Sequence, residues 1–348
     1  MKIAIAGAGV AGSYLGCMLQ KKGHEVEVFE ASKKADHWSV CAWGGSKHML
    51  SKFSQQAGLN FDDYVLHNGK ALTVFLPNDT EISFDLKGIV TYDKQRWEHD
   101  LLKDVKITYS TKCTPESFPL QQYDLILDCT GLHRTLLPKP KMDSIVPAYE
   151  YLVENVKGVN DFYTIEYKRA MGYFWYFPLD NGRAFVGAGD MDRKYYGIQE
   201  FFQHHPEAKI VKKIGRPIRI APPHLMQPFY HQNIVGIGES IGCIFSLFGE
   251  GIIPALICSD LFLDVLSKNN TNRSLKKFDF DTYGRTVLRK FDYYYDVFKV
   301  MMLKRQNKLS TFRHIGLLLN MYRNMKREEL RLGIEINFNK WKKYLEAI

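Results

Sequence analysis

Residues 1–12 read MKIAIAGAGVAG, and this stretch decides the fold of the chain. The apolar run Lys2–Ala6 is typical of a buried strand, and residues 13–22 carry apolar side chains at helical spacing. Between them, residues 7–12 form a G-x-G-x-x-G pattern in the position that a dinucleotide-binding turn requires. With a second apolar strand at Glu25–Phe29, these segments predict the beginning of a parallel βαβ unit.

Each glycine of this turn has its own task. Gly7 permits the tight turn, Gly9 lets a pyrophosphate approach the backbone N–H groups, and Gly12 lets the helix pack closely against the strand. The phosphates would then lie at the helix N-terminus, where the helix dipole favours negative charge. Glu30 ends the second strand and is placed to accept hydrogen bonds from a ribose diol. These residues predict a dinucleotide site without distinguishing FAD from NAD.

A second glycine cluster bears on that choice. Residues 236–239 read GIGE after a buried apolar run, and residues 248–252 read FGEGI at the start of a helix predicted over residues 252–266. An NAD-binding domain does not need a distant strand, acid and helix. The ribitol and flavin of FAD extend past the first βαβ unit and need a second helix dipole. The cluster therefore favours FAD, the alternative being ordinary turn glycines.

The middle of the chain is rich in strands. Residues 71–76 and Glu81–Asp85 flank the turn-forming sequence PNDT and predict a hairpin. Residues 173–189 read YFWYFPLDNGRAFVGAG. The stretch opens as a strand whose aromatic side chains, residues 173–177, alternate between its two faces before a proline and a Gly-x-Gly. Because both faces are apolar, this strand belongs either to the core of a β-rich domain or to the wall of an apolar cavity.

The order of these segments predicts the architecture. Strands and helices of the nucleotide type occur in three separate pieces, and strand-rich segments are inserted between them. We predict an α/β fold with a discontinuous Rossmann-like FAD-binding domain, an inserted α+β substrate domain built on an antiparallel sheet, and a basic helical C-terminal region. The predicted ranges are 1–65, 90–136 and 229–267 for the first, 66–89 and 137–228 for the second, and 268–348 for the third.

Composition bounds the class of protein. The chain has 348 residues, of which 45% are hydrophobic and 24% charged, as is typical of a globular protein with two domains. Its six cysteines are scattered singly, so we expect no metal site. The glycines of residues 1–12 fit a turn better than a secretory leader, and no apolar run is long enough to predict a membrane span. We expect a cytoplasmic protein with reduced thiols.

Several motifs together resemble the geranylgeranyl reductase family of flavoproteins, archaeal digeranylgeranylglycerophospholipid reductases among them, within the p-hydroxybenzoate hydroxylase-like fold. Residues 7–12 with Glu30 are one such motif, and residues 41–45 (CAWGG) resemble the Cys–Gly-rich loop beside the isoalloxazine. Residues 93–98 (DKQRWE) are similar to the family's D-R-x-x-F-D segment, and the GIGE and GEGI cluster to its second glycine motif. Residues 173–189 resemble the family's Y-x-W-x-F-P…G-x-G signature.

The resemblance implies the roles of individual residues. Cys41 would position the flavin or tune it. An isoprenoid would lie against Tyr173, Trp175, Phe177, Pro178, Gly187 and Gly189. FAD would be held by Gly7, Gly9, Ala11, Gly12, Glu30, Cys41, Ala42, Gly44, Lys94, Gly238, Glu239, Gly249, Gly251 and Ile252.

Two residues depart from the family pattern. Lys94 stands where the family has an arginine that reaches the pyrophosphate, so a point charge replaces a bidentate fork. Glu239 stands where the family usually has aspartate, so its contact with the ribitol must shift by one methylene. Both departures keep the sign of the charge.

The resemblance implies an FAD-dependent reductase that saturates C=C bonds of a geranylgeranyl lipid with a hydride from reduced flavin. An isolated alkene has no carbonyl to polarise and needs a hydride and a proton. The electron donor would be NAD(P)H or a ferredoxin. Two alternatives stay open: a flavin-dependent monooxygenase of the same fold, and a prenyl-lipid-binding or electron-transfer flavoprotein without turnover.

The last part of the chain is basic. Residues 281–348 carry fifteen Lys and Arg against seven Asp and Glu, which accounts for nearly all of the net charge of +9. Apolar and aromatic side chains alternate with these charges. The region is either a helical cap on the core or a surface that docks on an anionic membrane. We expect no nucleic-acid partner, because no reading module accompanies the charge.

Overall fold

A computed structural model describes residues 1–269 and 278–348, so residues 270–277 of the predicted C-terminal region lie outside the described residues. The strands of the described residues are β1 (Lys2–Ala6), β2 (Glu25–Phe29), β3 (Gly44–Ser46), β4 (Val65–Asn68), β5 (Ala71–Phe75), β6 (Glu81–Asp85), β7 (Ile89–Tyr92), β8 (Lys106–Thr108), β9 (Leu125–Asp128), β10 (Ile145–Val146), β11 (Ala148–Glu154), β12 (Phe162–Glu166), β13 (Gly172–Pro178), β14 (Ala184–Asp190), β15 (Lys209–Gly215), β16 (Ile218–Arg219), β17 (Tyr230–His231) and β18 (Ile234–Gly236).

The α-helices of the same residues are α1 (Val10–Lys21), α2 (Lys47–Gln56), α3 (Lys94–Leu102), α4 (Tyr196–His204), α5 (Ile252–Asn269), α6 (Phe280–Lys290), α7 (Asp292–Arg305), α8 (Ile315–Arg327), α9 (Glu329–Leu332) and α10 (Phe338–Ala347). No helix in these ranges is long and apolar enough to cross a membrane.

A six-stranded sheet carries the nucleotide-type segments in the order β17-β18-β9-β1-β2-β8. All neighbours in it pair in parallel except β17 and β18. Ile3, Ala4 and Ile5 of β1 are fully buried, as a central parallel strand covered on both faces requires. Its strands come from three separate stretches of chain, so the predicted discontinuous Rossmann-like sheet is confirmed. The exact domain boundaries stay predictions.

A seven-stranded sheet of order β15-β11-β14-β13-β12-β5-β6 forms the inserted part. It is antiparallel except for the pair β12–β5. The predicted alternation along β13 is confirmed: Phe174 and Tyr176 pack in a cluster with Phe201 of α4, on the face away from the cavity described below. The opposite face of this sheet is the one that positions the site.

Two further contacts join the parts of the molecule. The small sheet β3-β7-β4 contacts the inserted sheet, where Thr91 of β7 donates a hydrogen bond of 2.5 Å to the carbonyl of Pro178 at the end of β13. The segment after α9 runs along β6, where the Glu335 N–H donates to the carbonyl of Asp85 at 2.9 Å. The C-terminal helices therefore pack on the inserted sheet as well as on the FAD-type domain.

Candidate functional site

A cavity of about 900 Å³ lies where the six-stranded sheet, the seven-stranded sheet and the C-terminal helices meet. One part of its wall contains the first glycine turn with Glu30 and Glu239. Another part is apolar, with Val74, Phe84 and Phe162 among its residues. A single cavity thus joins a polar nucleotide-type cradle to an apolar region.

The first glycine turn has the geometry that its sequence predicts. Gly7 has φ +99°, and a Cβ there would lie 2.5 Å from the carbonyl oxygen of Cys129. A Cβ on Gly12 would collide with the carbonyl oxygen of Gly7, so Gly12 supports the turn from behind and does not line the cavity. Gly9 differs, because a Cβ there meets nothing within 4 Å. Gly9 and Ala11 border the cavity at the N-terminus of α1.

Glu30 is held in place at the edge of this cradle. Its Oε2 accepts a hydrogen bond from the Ala8 N–H at 3.0 Å, and its Oε1 accepts one from the Ser32 N–H at 2.9 Å. Burial raises the pKa of the Glu30 carboxyl, but these hydrogen bonds outweigh burial and hold the pKa below its usual value. Glu30 is therefore an ionised acceptor facing the cavity.

The second glycine cluster supplies a second helix N-terminus. Gly249, Gly251 and Ile252 border the cavity at the start of α5. Glu239 borders it as well, and its Oε2 lies 3.3 Å from Nη2 of Arg216. Gly238 has φ +70° and lies behind this wall, where its N–H donates to Sγ of Cys258. The cavity thus has a helix dipole and an acid at each of two places, as FAD requires.

Lys94 borders the cavity as predicted, but it is paired. Its Nζ lies 2.8 Å from Oε1 of Glu98, and both side chains are buried. The hydroxyl of Ser39 also donates to Glu98. The pair carries no net charge, so the contact of Lys94 with a pyrophosphate stays a prediction. The i,i+4 spacing of the two residues was the sequence signal for this pairing.

The Cys–Gly-rich loop also borders the cavity, through Cys41, Ala42 and Gly44. A Cβ on Gly44 would lie 2.5 Å from the ring of Phe177, so only glycine lets β13 pack against this loop. Desolvation in the wall raises the pKa of the Cys41 thiol, which therefore stays protonated near neutral pH. Trp43 is buried, and its indole N–H donates to the carbonyl of Ser39.

The aromatic strand forms a wall of the cavity through Tyr173, Trp175 and Phe177. The Tyr173 hydroxyl donates a hydrogen bond of 2.5 Å to the carbonyl of Phe248, which fixes the strand to the second glycine cluster. Gly187 pairs opposite Trp175, and a Cβ on Gly187 would lie 2.5 Å from Cζ2 of the indole. Gly187 therefore makes room for the indole.

Three residues predicted to touch substrate do not border this cavity. Gly187 lies beneath the indole, and Pro178 is engaged through its carbonyl by Thr91. Gly189 borders a separate small cavity of about 40 Å³ beside Trp175. These three residues support the wall and do not form its surface. The two glycines leave room for the indole of Trp175, which lies against their strand.

Two buried glutamates in the cavity wall were missed. Glu150 lies in β11, and Oε2 of its carboxyl accepts a hydrogen bond from the Trp175 indole N–H at 3.2 Å. Glu166 lies at the end of β12 and accepts from the Tyr344 hydroxyl at 3.1 Å and from the Thr164 hydroxyl at 3.2 Å. Burial raises the pKa of each carboxyl to about 8. An acid in a strand of alternating buried residues was the signal for both.

The C-terminal region closes the apolar part of the cavity, which the sequence did not predict. The residues that it contributes to the wall are Met325, Leu332, Ile334, Ile336, Trp341 and Tyr344.

A buried ion pair fixes this region to the second glycine cluster. Nη1 of Arg331 lies 2.7 Å from Oε2 of Glu250, and Arg331 is also paired with Glu328. The Tyr293 hydroxyl donates to the same Glu328 at 2.6 Å. The loop before α5 is therefore held by side chains from the C-terminal helices. Within residues 1–269 and 278–348, no cluster of three or more His, Cys, Asp or Glu side chains could hold a metal ion.

Comparison with known proteins gives the fold a name. No family model matches the chain. An uncharacterized protein of Methanocaldococcus jannaschii is 22% identical over 328 residues, which cover 80% of this chain and 86% of that protein.

Solved structures are similar over nearly the whole chain. A geranylgeranyl bacteriochlorophyll reductase-like protein from Thermoplasma acidophilum has a TM-score of 0.72 at 14% identity, covering 99% of this chain and 95% of that chain. A triple mutant of a flavin-dependent brominase has a TM-score of 0.71 at 12% identity, covering 99% and 98%. A probable FAD-dependent monooxygenase from Pseudomonas aeruginosa has a TM-score of 0.63 at 12% identity, covering 91% and 99%.

At these identities the likeness shows the fold. It is the α/β fold of FAD-dependent oxidoreductases, monooxygenases and halogenases, and the fold prediction is confirmed. FAD is the cofactor that enzymes of this fold use, in agreement with the two helix N-termini and the two acids around the cavity.

Proposed function

We propose that this chain is an FAD-dependent reductase that saturates carbon–carbon double bonds of an isoprenoid lipid. The observation that carries the proposal is the single cavity in which the nucleotide cradle continues into an apolar, aromatic region. The structural likeness to a geranylgeranyl bacteriochlorophyll reductase-like protein supports it.

The residues around the cradle fit FAD. Gly9 leaves its side of the turn open, α1 and α5 point their N-termini into the cavity, and Glu30 offers an ionised acceptor. The pyrophosphate would lie at the first helix N-terminus, and the flavin beside the loop that contains Cys41. Once reduced by NAD(P)H or a ferredoxin, bound flavin supplies a hydride.

The apolar part of the cavity would bind the isoprenoid and exclude water. Burying each methylene contributes about 0.8 kcal/mol, so a long chain gains affinity from apolar walls alone. Ile334, Ile336 and Trp341 of the C-terminal region complete the apolar wall beside the edge of the inserted sheet. The faces of Tyr173 and Trp175 would stabilise cationic character at a tertiary carbon by about 1–2 kcal/mol each.

A monooxygenase or halogenase is the second candidate, because the brominase is as similar in fold as the reductase-like protein. The apolar wall favours the reductase. Purified protein that consumes NADPH in an oxygen-dependent way, and leaves prenyl lipids unchanged, would favour the second candidate. Tight prenyl-lipid binding without reduction would favour a flavoprotein that has no turnover.

We also propose that the region around α8 docks on an anionic membrane that holds the substrate. Phe312 is 91% exposed and lies just before α8, on which Ile315 and Leu319 are also exposed. Arg323 follows on the same helix face at four-residue spacing and is exposed as well. Apolar side chains would enter the interface while arginines contact lipid phosphates.

Mass spectrometry of lipids from cells with and without this chain tests the proposed function. The proposal expects isoprenoid lipids that are heavier by two hydrogen atoms for each saturated bond when the chain is present. Identical lipid profiles in the two cell lines, from a chain that is produced and carries FAD, would contradict it.

A further inference from the structure

We propose that Glu150 is the acid that gives the proton to the alkene carbon in this reduction, an inference that rests on the proposed function. Nothing in the sequence motifs or in the fold assigns a proton donor. The substrate class is an isolated, electron-rich alkene, and the acid must lie in the same dry cavity.

The position of Glu150 follows from the register of the sheet. Glu150 of β11 pairs with Gly187 of β14, and Gly187 pairs on its other side with Trp175 of β13. The three residues form one row across the sheet, on the face that borders the cavity. Because Gly187 has no side chain, the indole lies across it and its N–H reaches Oε2 of Glu150 at 3.2 Å.

The second carboxyl oxygen of Glu150 is free for another contact. Oε1 is buried and has no hydrogen-bond partner within the described residues. A buried polar atom without a partner costs free energy, so such atoms in native proteins call for a specific explanation. The Trp175 N–H fixes Oε2 as an acceptor, which leaves Oε1 to carry a proton.

The surroundings of Glu150 keep that proton in place near neutral pH. Burial raises the pKa of its carboxyl to about 8, although the Trp175 hydrogen bond and the charge of Lys94 act in the opposite direction. Lys94, which is paired with Glu98, and Cys41, whose thiol is also protonated, are the titratable groups that interact with it. Its neighbours on β14 and β15 are Gly187 and Ile214, which carry no charge.

The other glutamates of the wall are engaged, and Asp36, the remaining carboxyl of the wall, is exposed. Glu166 accepts two hydroxyl hydrogen bonds, from Tyr344 and Thr164. Glu98 is paired with Lys94, Glu250 with Arg331 and Glu239 with Arg216. The Cys41 thiol is a weaker acid than a carboxyl, since desolvation moves its pKa further above the usual value.

The proton transfer balances with the hydride. One alkene carbon receives the hydride, which carries both electrons, and the other forms a C–H bond with the proton as the O–H bond of Glu150 breaks. The carboxylate that remains is reprotonated from water before the next turnover. The two electrons come from NAD(P)H or a ferredoxin. Because its carboxylate is reprotonated, Glu150 is not consumed.

Glu150→Gln tests the proposal, with Glu154→Gln on the same strand as the matched control, since Glu154 does not border the cavity. The amide oxygen of glutamine still accepts the Trp175 hydrogen bond but carries no acidic proton. We expect Glu150→Gln to keep its FAD content and melting temperature and to reduce a geranylgeranyl lipid about 100-fold or more slowly. Glu150→Asp should recover part of the rate.

A second readout needs no turnover. Because the pKa of Glu166 is also raised to about 8, every protein in this test carries Glu166→Gln. In infrared difference spectra recorded without lipid, this parent protein and its Glu154→Gln derivative should lose a protonated-carboxyl band as pH rises through about 8. The Glu150→Gln derivative of the same parent protein should lack this band while its far-ultraviolet circular dichroism spectrum is kept.

The outcomes separate the two proposals. Lipid reduction at the wild-type rate by Glu150→Gln would overturn the role of Glu150 and leave the reductase standing. An infrared band that is unchanged when Glu150→Gln is added to the Glu166→Gln protein would do the same. An FAD-loaded wild type that does not reduce the lipid would overturn the proposed function and the role of Glu150 with it.

Discussion

The hydroxyl of Tyr344 in α10 donates a hydrogen bond of 3.1 Å to Oε2 of Glu166 in β12. Both residues border the cavity, so this contact joins the C-terminal region to the inserted sheet within the cavity wall. Together with the Arg331–Glu250 ion pair, it makes the C-terminal helices part of the cavity wall. The region is thus more than a cap on the core, and changes in it should affect ligand binding as well as stability.

Gly9→Val should abolish FAD binding without unfolding the chain. Gly9 has φ −78° and ψ −167°, which any residue adopts, and a Cβ there meets nothing within 4 Å in the protein itself. The added side chain would occupy the space of the pyrophosphate. Flavin absorbance should be lost while the far-ultraviolet circular dichroism spectrum is kept. Gly12→Val is the control, since its side chain would collide with Gly7 and should unfold α1. Full FAD content in Gly9→Val would refute the assignment of this turn as the pyrophosphate site.

Trp175→Ala should slow lipid reduction more than it lowers FAD content. The indole faces the cavity, and losing a cation–π contact of about 2 kcal/mol corresponds to a rate roughly 30-fold lower. Trp175→Phe keeps an aromatic ring, so its rate of lipid reduction should lie between those of Trp175→Ala and the wild type. The readouts are single-turnover rates and the FAD-to-protein ratio. If Trp175→Ala unfolds while Trp175→Phe reduces lipid at the full rate, the strand is core and not a binding wall.

Glu166→Gln should change how stability depends on pH. The pKa of Glu166 is raised from 4.5 to about 8 in the folded chain, so between these pH values the folded state holds a proton that the unfolded state has lost. Its contribution to the free energy of unfolding is complete below pH 4.5 and falls as pH rises to about 8, by about 1.4 kcal/mol per pH unit at most. Urea unfolding of both proteins from pH 5 to 8.5 measures this.

Relative to the wild type, Glu166→Gln should gain stability as pH rises. A constant difference between the two proteins across this range would show that Glu166 is ionised in the folded state. The Tyr344 hydroxyl can still donate to the amide oxygen, so the variant keeps the contact with α10.

Loss of three charges near α8 should weaken vesicle binding. Arg313, Arg323 and Arg327 are exposed and make no ion pair within the described residues, whereas Arg305 donates to the carbonyl of Ala170 and belongs to the packing. With these three arginines changed to Gln, sedimentation with anionic vesicles at low salt should decrease. Wild-type binding should also decrease as salt rises. The charge-matched control changes Lys22, Lys103 and Lys139 to Gln, and equal binding by both variants would refute the docking surface.

Local patterns predicted the parts of the site that depend on neighbouring residues in the chain. Residues 7–12 and Glu30 were predicted with their geometry, because a turn and the strand after it are a local structure. Glu150 was missed because alternation predicts a strand face without saying what that face borders. Tyr344 was missed because it meets Glu166 across 178 residues of chain, and no local pattern encodes such a pairing. Pro178 does not border the cavity, and its carbonyl accepts a hydrogen bond from Thr91 instead.

The most direct test of the central claim is an anaerobic single-turnover experiment with FAD-loaded protein reduced by dithionite, freed of excess reductant and mixed with a geranylgeranyl lipid in vesicles. We predict that the flavin reoxidises in step with a lipid product heavier by two hydrogen atoms, in a one-to-one ratio. If the flavin stays reduced and the lipid mass is unchanged, while oxygen reoxidises the same preparation, the chain is not an isoprenoid reductase.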